Sequence, residues 1–126
     1  MAVLVDTSVW VAHFKRQLGD LQRLLIQASV MTHSLVLGEI ACGTQPHRQV
    51  TLQDLADLPD VVQATLAETL ALIERHRLYG WGCGIADMML LLAPALMTSG
   101  TKLGTLDKRL AALAHELGVL HRTALH

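Results

Sequence analysis

Four acidic residues in this 126-residue chain stand in apolar surroundings where acids are rarely placed. Asp6 closes the run Ala2-Val3-Leu4-Val5, and Glu39 is the one charge inside Leu35-Val36-Leu37-Gly38-Glu39-Ile40-Ala41-Cys42. Asp87 is the only charged residue between Arg77 and Lys102, and Asp107 follows Lys102-Leu103-Gly104-Thr105-Leu106. A buried, unpaired carboxylate is costly, so such groups are paired, protonated or bound to a cation. Taken singly, Asp6 and Asp107 also fit plain helix N-caps, and Glu39 or Asp87 fits a structural salt bridge. Taken together in one cleft, four carboxylates repel each other and raise one another's pKa unless a cation sits among them. An oxygen-only set suits Mg²⁺ or Mn²⁺. One or two such ions can activate water and stabilise the leaving oxygen of an in-line phosphodiester displacement.

These acids need elements to bring them together. Ala2 to Val5 reads as a buried strand, and Asp6-Thr7-Ser8 starts a helix running towards Phe14. Leu18, Leu21, Leu24, Leu25 and Ala28 recur at helical spacing, and Val30 to Thr32 is a second strand. Ser34 is predicted to cap a third helix through Cys42, and Gln49 to Leu58 to form a helix ended by Pro59. Leu66, Leu70, Ile73 and Arg77 trace one face of a longer helix. Gly80, Gly82 and Gly84 mark a turn-rich loop, followed by a buried apolar helix from Ile85 to Met97. Pro94 predicts a kink or an early end there. Lys102 to Leu106 is a third strand, Asp107 to Leu117 a helix ending at Gly118, and Val119-Leu120 a last short strand. Short strands alternating with helices give an α/β fold with a parallel sheet, as one domain over residues 1–126. Such sheets bind ligands at the carboxyl ends of their strands, and all four acids can point into that edge.

Composition narrows the function classes. At 52% hydrophobic and 17% charged residues the chain can bury a core and is not disordered. Aromatics at 3% disfavour a module that stacks bases on aromatic platforms. The net charge of −1 argues against a broad basic surface. If four of the 11 acids line one metal site, however, the other seven face 10 basic residues. Near-neutrality therefore does not exclude RNA. Cys42 and Cys83 have no CxxC partner, which suits a reducing compartment and builds no zinc site; the seven His are scattered. The start lacks a basic n-region, and Asp87, Pro94 and glycines interrupt the stretch from Leu78 to Thr101. No signal peptide and no membrane span are expected, and the expected location is cytoplasmic.

The ordered set Val3-Leu4-Val5-Asp6-Thr7-Ser8-Val9-Trp10, Glu39, Gly82-Cys83-Gly84-Ile85-Ala86-Asp87 and Gly104-Thr105-Leu106-Asp107-Lys108-Arg109-Leu110 resembles the PIN-domain ribonucleases. Within them it is most similar to the VapC toxins of bacterial type II toxin–antitoxin pairs. The resemblance implies a three-layer α/β/α fold around a short-stranded parallel sheet. It also implies a Mg²⁺-dependent endoribonuclease, with Mn²⁺ able to substitute. Asp6, Glu39, Asp87 and Asp107 would be the catalytic, metal-binding acids. Thr7 and Thr105 would support the metal shell or the substrate phosphate, although capping or turn chemistry fits them equally. The implied substrates are structured RNAs such as transfer or ribosomal RNA. The implied partners are a second copy of the chain and a cognate VapB-type antitoxin that blocks the site. Three rivals stand beside this reading. One is a PIN nuclease in RNA processing without toxicity. Another is an aspartyl phosphatase, which wants a second acid where Ser8 stands. The third is a phosphate-receiving domain, which wants an acid beside Asp6 and a lysine at a strand end, where Lys102 is at a strand start. Trp81 is expected to pack, with stacking on a base beside the site as the alternative, and Lys108 and Arg109 fit either a phosphate contact or a solvated helix face.

Overall fold

The computed structural model describes residues 2–122. Its centre is β1 (Ala2–Val5), whose Val3, Leu4 and Val5 are fully buried. On one side lies β2 (Val30–Met31), with Val3 opposite Val30; on the other lies β3 (Thr101–Gly104), with Ala2 to Val5 opposite Thr101 to Gly104. All pairings are parallel and the order is β2-β1-β3. A parallel sheet must be covered on both faces, which explains an uninterrupted apolar central strand. Single bridges extend the sheet at each side, Thr32 with Asp60 and Leu103 with Leu120. The last strand expected at Val119-Leu120 is thus one bridge, fixed by Leu103 N–H to Val119 O (2.7 Å) and His121 N–H to Leu103 O (2.9 Å).

Helices α1 (Thr7–Lys15), α2 (Gly19–Ile26), α3 (Ser34–Ala41), α4 (Arg48–Ala56) and α5 (Leu66–His76) follow in chain order. Leu21 and Leu24 of α2 are buried, so its leucine face belongs to the core, together with Val9 and Trp10 of α1 and Val36 and Ile40 of α3. The second helix stops short of the expected Ala28. Ala28 takes a left-handed φ of 54°, and the Ser29 N–H returns to Leu24 O. The cap of α3 also differs from expectation. His33, 2% exposed, accepts the Leu35 N–H on Nδ1 at 3.0 Å, whereas the Ser34 hydroxyl faces Gln63 and accepts its amide at 2.8 Å.

The apolar segment after the glycine loop does not end at Pro94. Helix α6 (Ile85–Asp87) passes into a π turn, Met88–Leu92, and then into α7 (Ala93–Met97), with Pro94 in its first turn. In a regular helix the proline ring would clash with the carbonyl four residues earlier and one hydrogen bond would be lost. The π turn widens the coil at that point, with the Ala93 N–H donating to Met88 O, five residues back. Helix α8 (Lys108–Glu116) follows β3 and buries Leu110, Leu113 and Ala114. Helices on both faces of the sheet make the three-layer α/β/α arrangement. No helix among the described residues is long and apolar enough to cross a membrane.

Candidate active site

Asp6 occupies the N-cap position of α1 yet makes no side-chain cap bond. Its Oδ2 instead accepts from Ser8 Oγ at 2.9 Å and from Thr105 Oγ1 at 2.6 Å, 99 residues further along the chain. Ser8 Oγ in turn accepts the Leu106 N–H (3.1 Å), and Thr105 Oγ1 accepts the Asp107 N–H (3.1 Å). The Asp6 N–H donates to Gly104 O at 2.9 Å. These bonds clamp the turn after β1 to the turn after β3, because the two strands are hydrogen-bonded neighbours that end at the same level. Asp107 is therefore held beside Asp6, and its Oδ1 caps α8 by accepting from Arg109 and Leu110 N–H at 2.9 and 3.0 Å. The cap reading holds for Asp107 and fails for Asp6. Position eight carries a brace for Asp6 in place of the second acid a phosphatase wants. The Lys102 ammonium is committed to Gly118 O (2.6 Å), which leaves the phosphate-receiving reading without its lysine.

Glu39 reaches the same edge from α3, and its Oε1 accepts the Thr7 hydroxyl at 3.2 Å. It is exposed, contrary to the expectation of apolar burial. Gly38 and Leu35 beside it are exposed too, and only Val36 and Ile40 of α3 are fully buried. Asp87 completes the set from α6. Its carboxyl is pushed above the ordinary carboxylate range first by burial and then by the charges of Asp6 and Asp107, with Glu39 adding to them; a hydrogen bond from the Gly84 backbone partly opposes this. The charges acting on Asp87 are all negative. Asp6, Asp107 and Glu39 thus all bear on Asp87, although the four acids predicted from sequence come from four separate segments. Among the described residues none of them forms a salt bridge.

The donor set fits a hard divalent cation. It offers carboxylate oxygens, and mutual repulsion that a cation would relieve. Cys83, also at this edge, is a poor competitor: burial and then Asp87 and Asp107 push its thiol up, against a smaller opposing effect of Arg109. Among the described residues no three acids, thiols or imidazoles already close into a metal cage. Mg²⁺ needs no such cage, because it keeps several waters and takes only one or two carboxylates. A cavity of about 560 Å³ is lined by Glu39 alone of the four acids, together with Thr7, Val11, Phe14, Ile40 and Gln45. Trp81 does not pack inward as expected; at 37% exposure it stands on the glycine loop beside exposed Tyr79 and Ile85.

Residues 3–116 match the PIN domain family. The chain belongs to that family. It is 42% identical over 117 residues to Ribonuclease VapC32 of Mycobacterium tuberculosis, in strains CDC 1551 / Oshkosh and ATCC 25618 / H37Rv. The match covers 93% of this chain and 94% of the relative. The PIN domain described above is therefore a VapC-type ribonuclease, a hydrolase that cuts RNA, and membership implies dependence on a divalent metal.

Sequence reasoning passed over two residues of this PIN domain edge. In the sequence Ser8 reads as part of a helix start and as the place of a missing acid, yet it ties Asp6 to the β3–α8 turn; a hydroxyl two residues after a strand-end Asp is the available signal. Gly82 gave no hint that the side chain of Arg109 lies over it.

Proposed function

We propose that this PIN domain is a Mg²⁺-dependent VapC-type toxin that cuts structured RNA, transfer or ribosomal, at the cleft of Asp6, Glu39, Asp87 and Asp107. The observation that carries the reading is the upward push on Asp87 by burial and the other three acids. A carboxylate so disfavoured in its charged form is the group a cation relieves most. When bound, the ion supplies Lewis-acid activation of the attacking water and stabilises the leaving oxygen; Mn²⁺ should substitute. Asp6 is prepositioned, since Ser8 and Thr105 fix Oδ2 and leave Oδ1 without a hydrogen bond among the described residues. Asp107 likewise keeps Oδ2 after capping α8 with Oδ1. Glu39, exposed and braced by Thr7, stands at the mouth. Thr7 and Thr105 support the site through these acids.

In the reaction, water oxygen bonds to phosphorus as the bond to the 3′ oxygen breaks. The water's proton ends on that oxygen, giving 5′-phosphate and 3′-hydroxyl products. Asp6→Asn and Asp87→Asn should each lower Mg²⁺-dependent cleavage about a hundredfold or more with an unchanged circular dichroism spectrum. Undiminished cleavage by both would overturn the site. A cognate VapB-type antitoxin would dock an Arg or Lys into the same acids, with its chain along the cavity walled by Val11, Phe14 and Ile40. The two Asn variants should then bind it more weakly, and unchanged binding would count against this. Leu66 and Leu70, half exposed on one face of α5, support a homodimer, checked by light scattering at the mass of two chains. A PIN nuclease in RNA processing would share the chemistry; growth arrest on expression separates the two.

A further inference from the structure

We infer that Arg109 is a phosphate-positioning residue, its guanidinium seated on the glycine loop to hold the RNA backbone at the mouth of the acidic cleft. The inference rests on the active-site reading above and adds a residue to it. Arg109 is the second residue of α8, and its own amide is bonded to the Asp107 carboxylate at 2.9 Å. An arginine in that place would be expected to pair with the acids. Among the described residues it forms no ion pair with any of them, nor a side-chain hydrogen bond. Its stem lies across Gly82 instead. A Cβ on Gly82 would lie 2.9 Å from Arg109 Cδ and 3.3 Å from both Nε and Nη1. Gly82 also has φ of +83°, so the loop uses both the missing side chain and the left-handed backbone of glycine. The arginine thereby spans from the helix that follows Asp107 to the loop that leads, through Cys83 and Gly84, into the helix carrying Asp87.

Charge supplies the reason for a cation here. An RNA backbone approaching four carboxylates is repelled by them until it reaches the bound ion. With a net charge of −1 the chain as a whole offers no field to offset this. A guanidinium consumed in a salt bridge would not help, whereas one held against a glycine keeps its donor fork available. That fork matches phosphate oxygens in a bidentate way that an ammonium does not. The neighbouring Lys108 is equally exposed.

The test uses the full chain with Mg²⁺ and a cleavable RNA, over a range of salt. Arg109→Ala should raise KM about tenfold more than it lowers kcat, and should reduce the slope of log kcat/KM against log salt by about one. Arg109→Lys should keep the slope, because charge is retained, with a KM between those of Ala and wild type. The thermal melt should not move. An unchanged KM and slope in Arg109→Ala overturns the inference. So does a fall in kcat at constant KM, or a weakened antitoxin complex with RNA cleavage intact, which would assign the guanidinium to the protein partner. Asp87→Asn is measured alongside. If it is inactive and Arg109→Ala behaves as wild type, the phosphate role alone fails. If Asp6→Asn and Asp87→Asn are both fully active, the site reading fails and takes the phosphate role with it.

Discussion

The charge on Asp87 is disfavoured by its surroundings, and that has a thermodynamic consequence. Its folded-state pKa lies above the ordinary value because of burial and the nearby acids, so the metal-free fold binds its proton more tightly than the unfolded chain does. Stability from this group is fully present below the unfolded pKa and is lost as pH rises through the folded one. At neutral pH the ionised form works against folding. In the absence of metal, Asp87→Asn should therefore melt higher than wild type at pH 7, and the gap should close as pH falls below the usual carboxylate range. Added Mg²⁺ should close it from the other side, by raising the wild type more than the variant. Differential scanning fluorimetry reads both effects; a variant that melts lower at pH 7 would contradict the account. The identities of the four acids were legible in the sequence because an acid stands out in an apolar run. The exposure of Glu39 was not, since the facing of a helix depends on what packs against it. The brace from Thr105 to Asp6 was hidden for another reason: it joins residues 99 apart.

At the scale of elements, local chemistry decides where helices begin, and α5 shows it best. Thr65 Oγ1 accepts the Glu68 N–H at 3.1 Å while Glu68 Oε1 accepts the Thr65 N–H at 2.9 Å, a reciprocal capping box. Thr65→Ala should cost about 1 kcal/mol in urea unfolding. Because α5 packs against the π turn that continues α6, the loss should also loosen the helix carrying Asp87. Amide exchange through Met88–Leu92 checks that. The strands and most helix bounds could be read from periodicity and from Asp, Gly and Pro at their ends. Two features could not. The cap of α3 comes from a buried histidine ring, since Ser34 is drawn to Gln63 by tertiary contact. The helix continues through Pro94 because a π turn widens the coil where the proline ring would clash, an option invisible in a pattern based on 3.6 residues per turn.

Across the whole molecule, segments far apart in sequence are tied by buried polar groups as well as by the apolar core. Asp20, at the start of α2, faces His121 after the last bridge (Nε2 to Oδ2, 3.1 Å), and it also pairs with Arg23. The Asp20 and His121 side chains are only 6% and 5% exposed. Removing the charge with Asp20→Asn should cost about 1.5–3 kcal/mol in chemical denaturation, without changing kcat on RNA, because the pair lies outside the acidic cleft. The α/β class and the single parallel sheet were visible from the alternation of elements. This long-range fastening was not, because nothing in the local sequence links residues 20 and 121.

The clamp between Asp6 and Thr105 also bears on how a cell can make such an enzyme. Asp6 is synthesised before its partner hydroxyl, which lies 99 residues further along, and before the third strand and Asp107. The central strand lacks one of its two neighbours until then. A growing chain therefore holds its acids apart and has no assembled nuclease to release. The acids can be brought to one edge only once the third strand has taken its place beside the first.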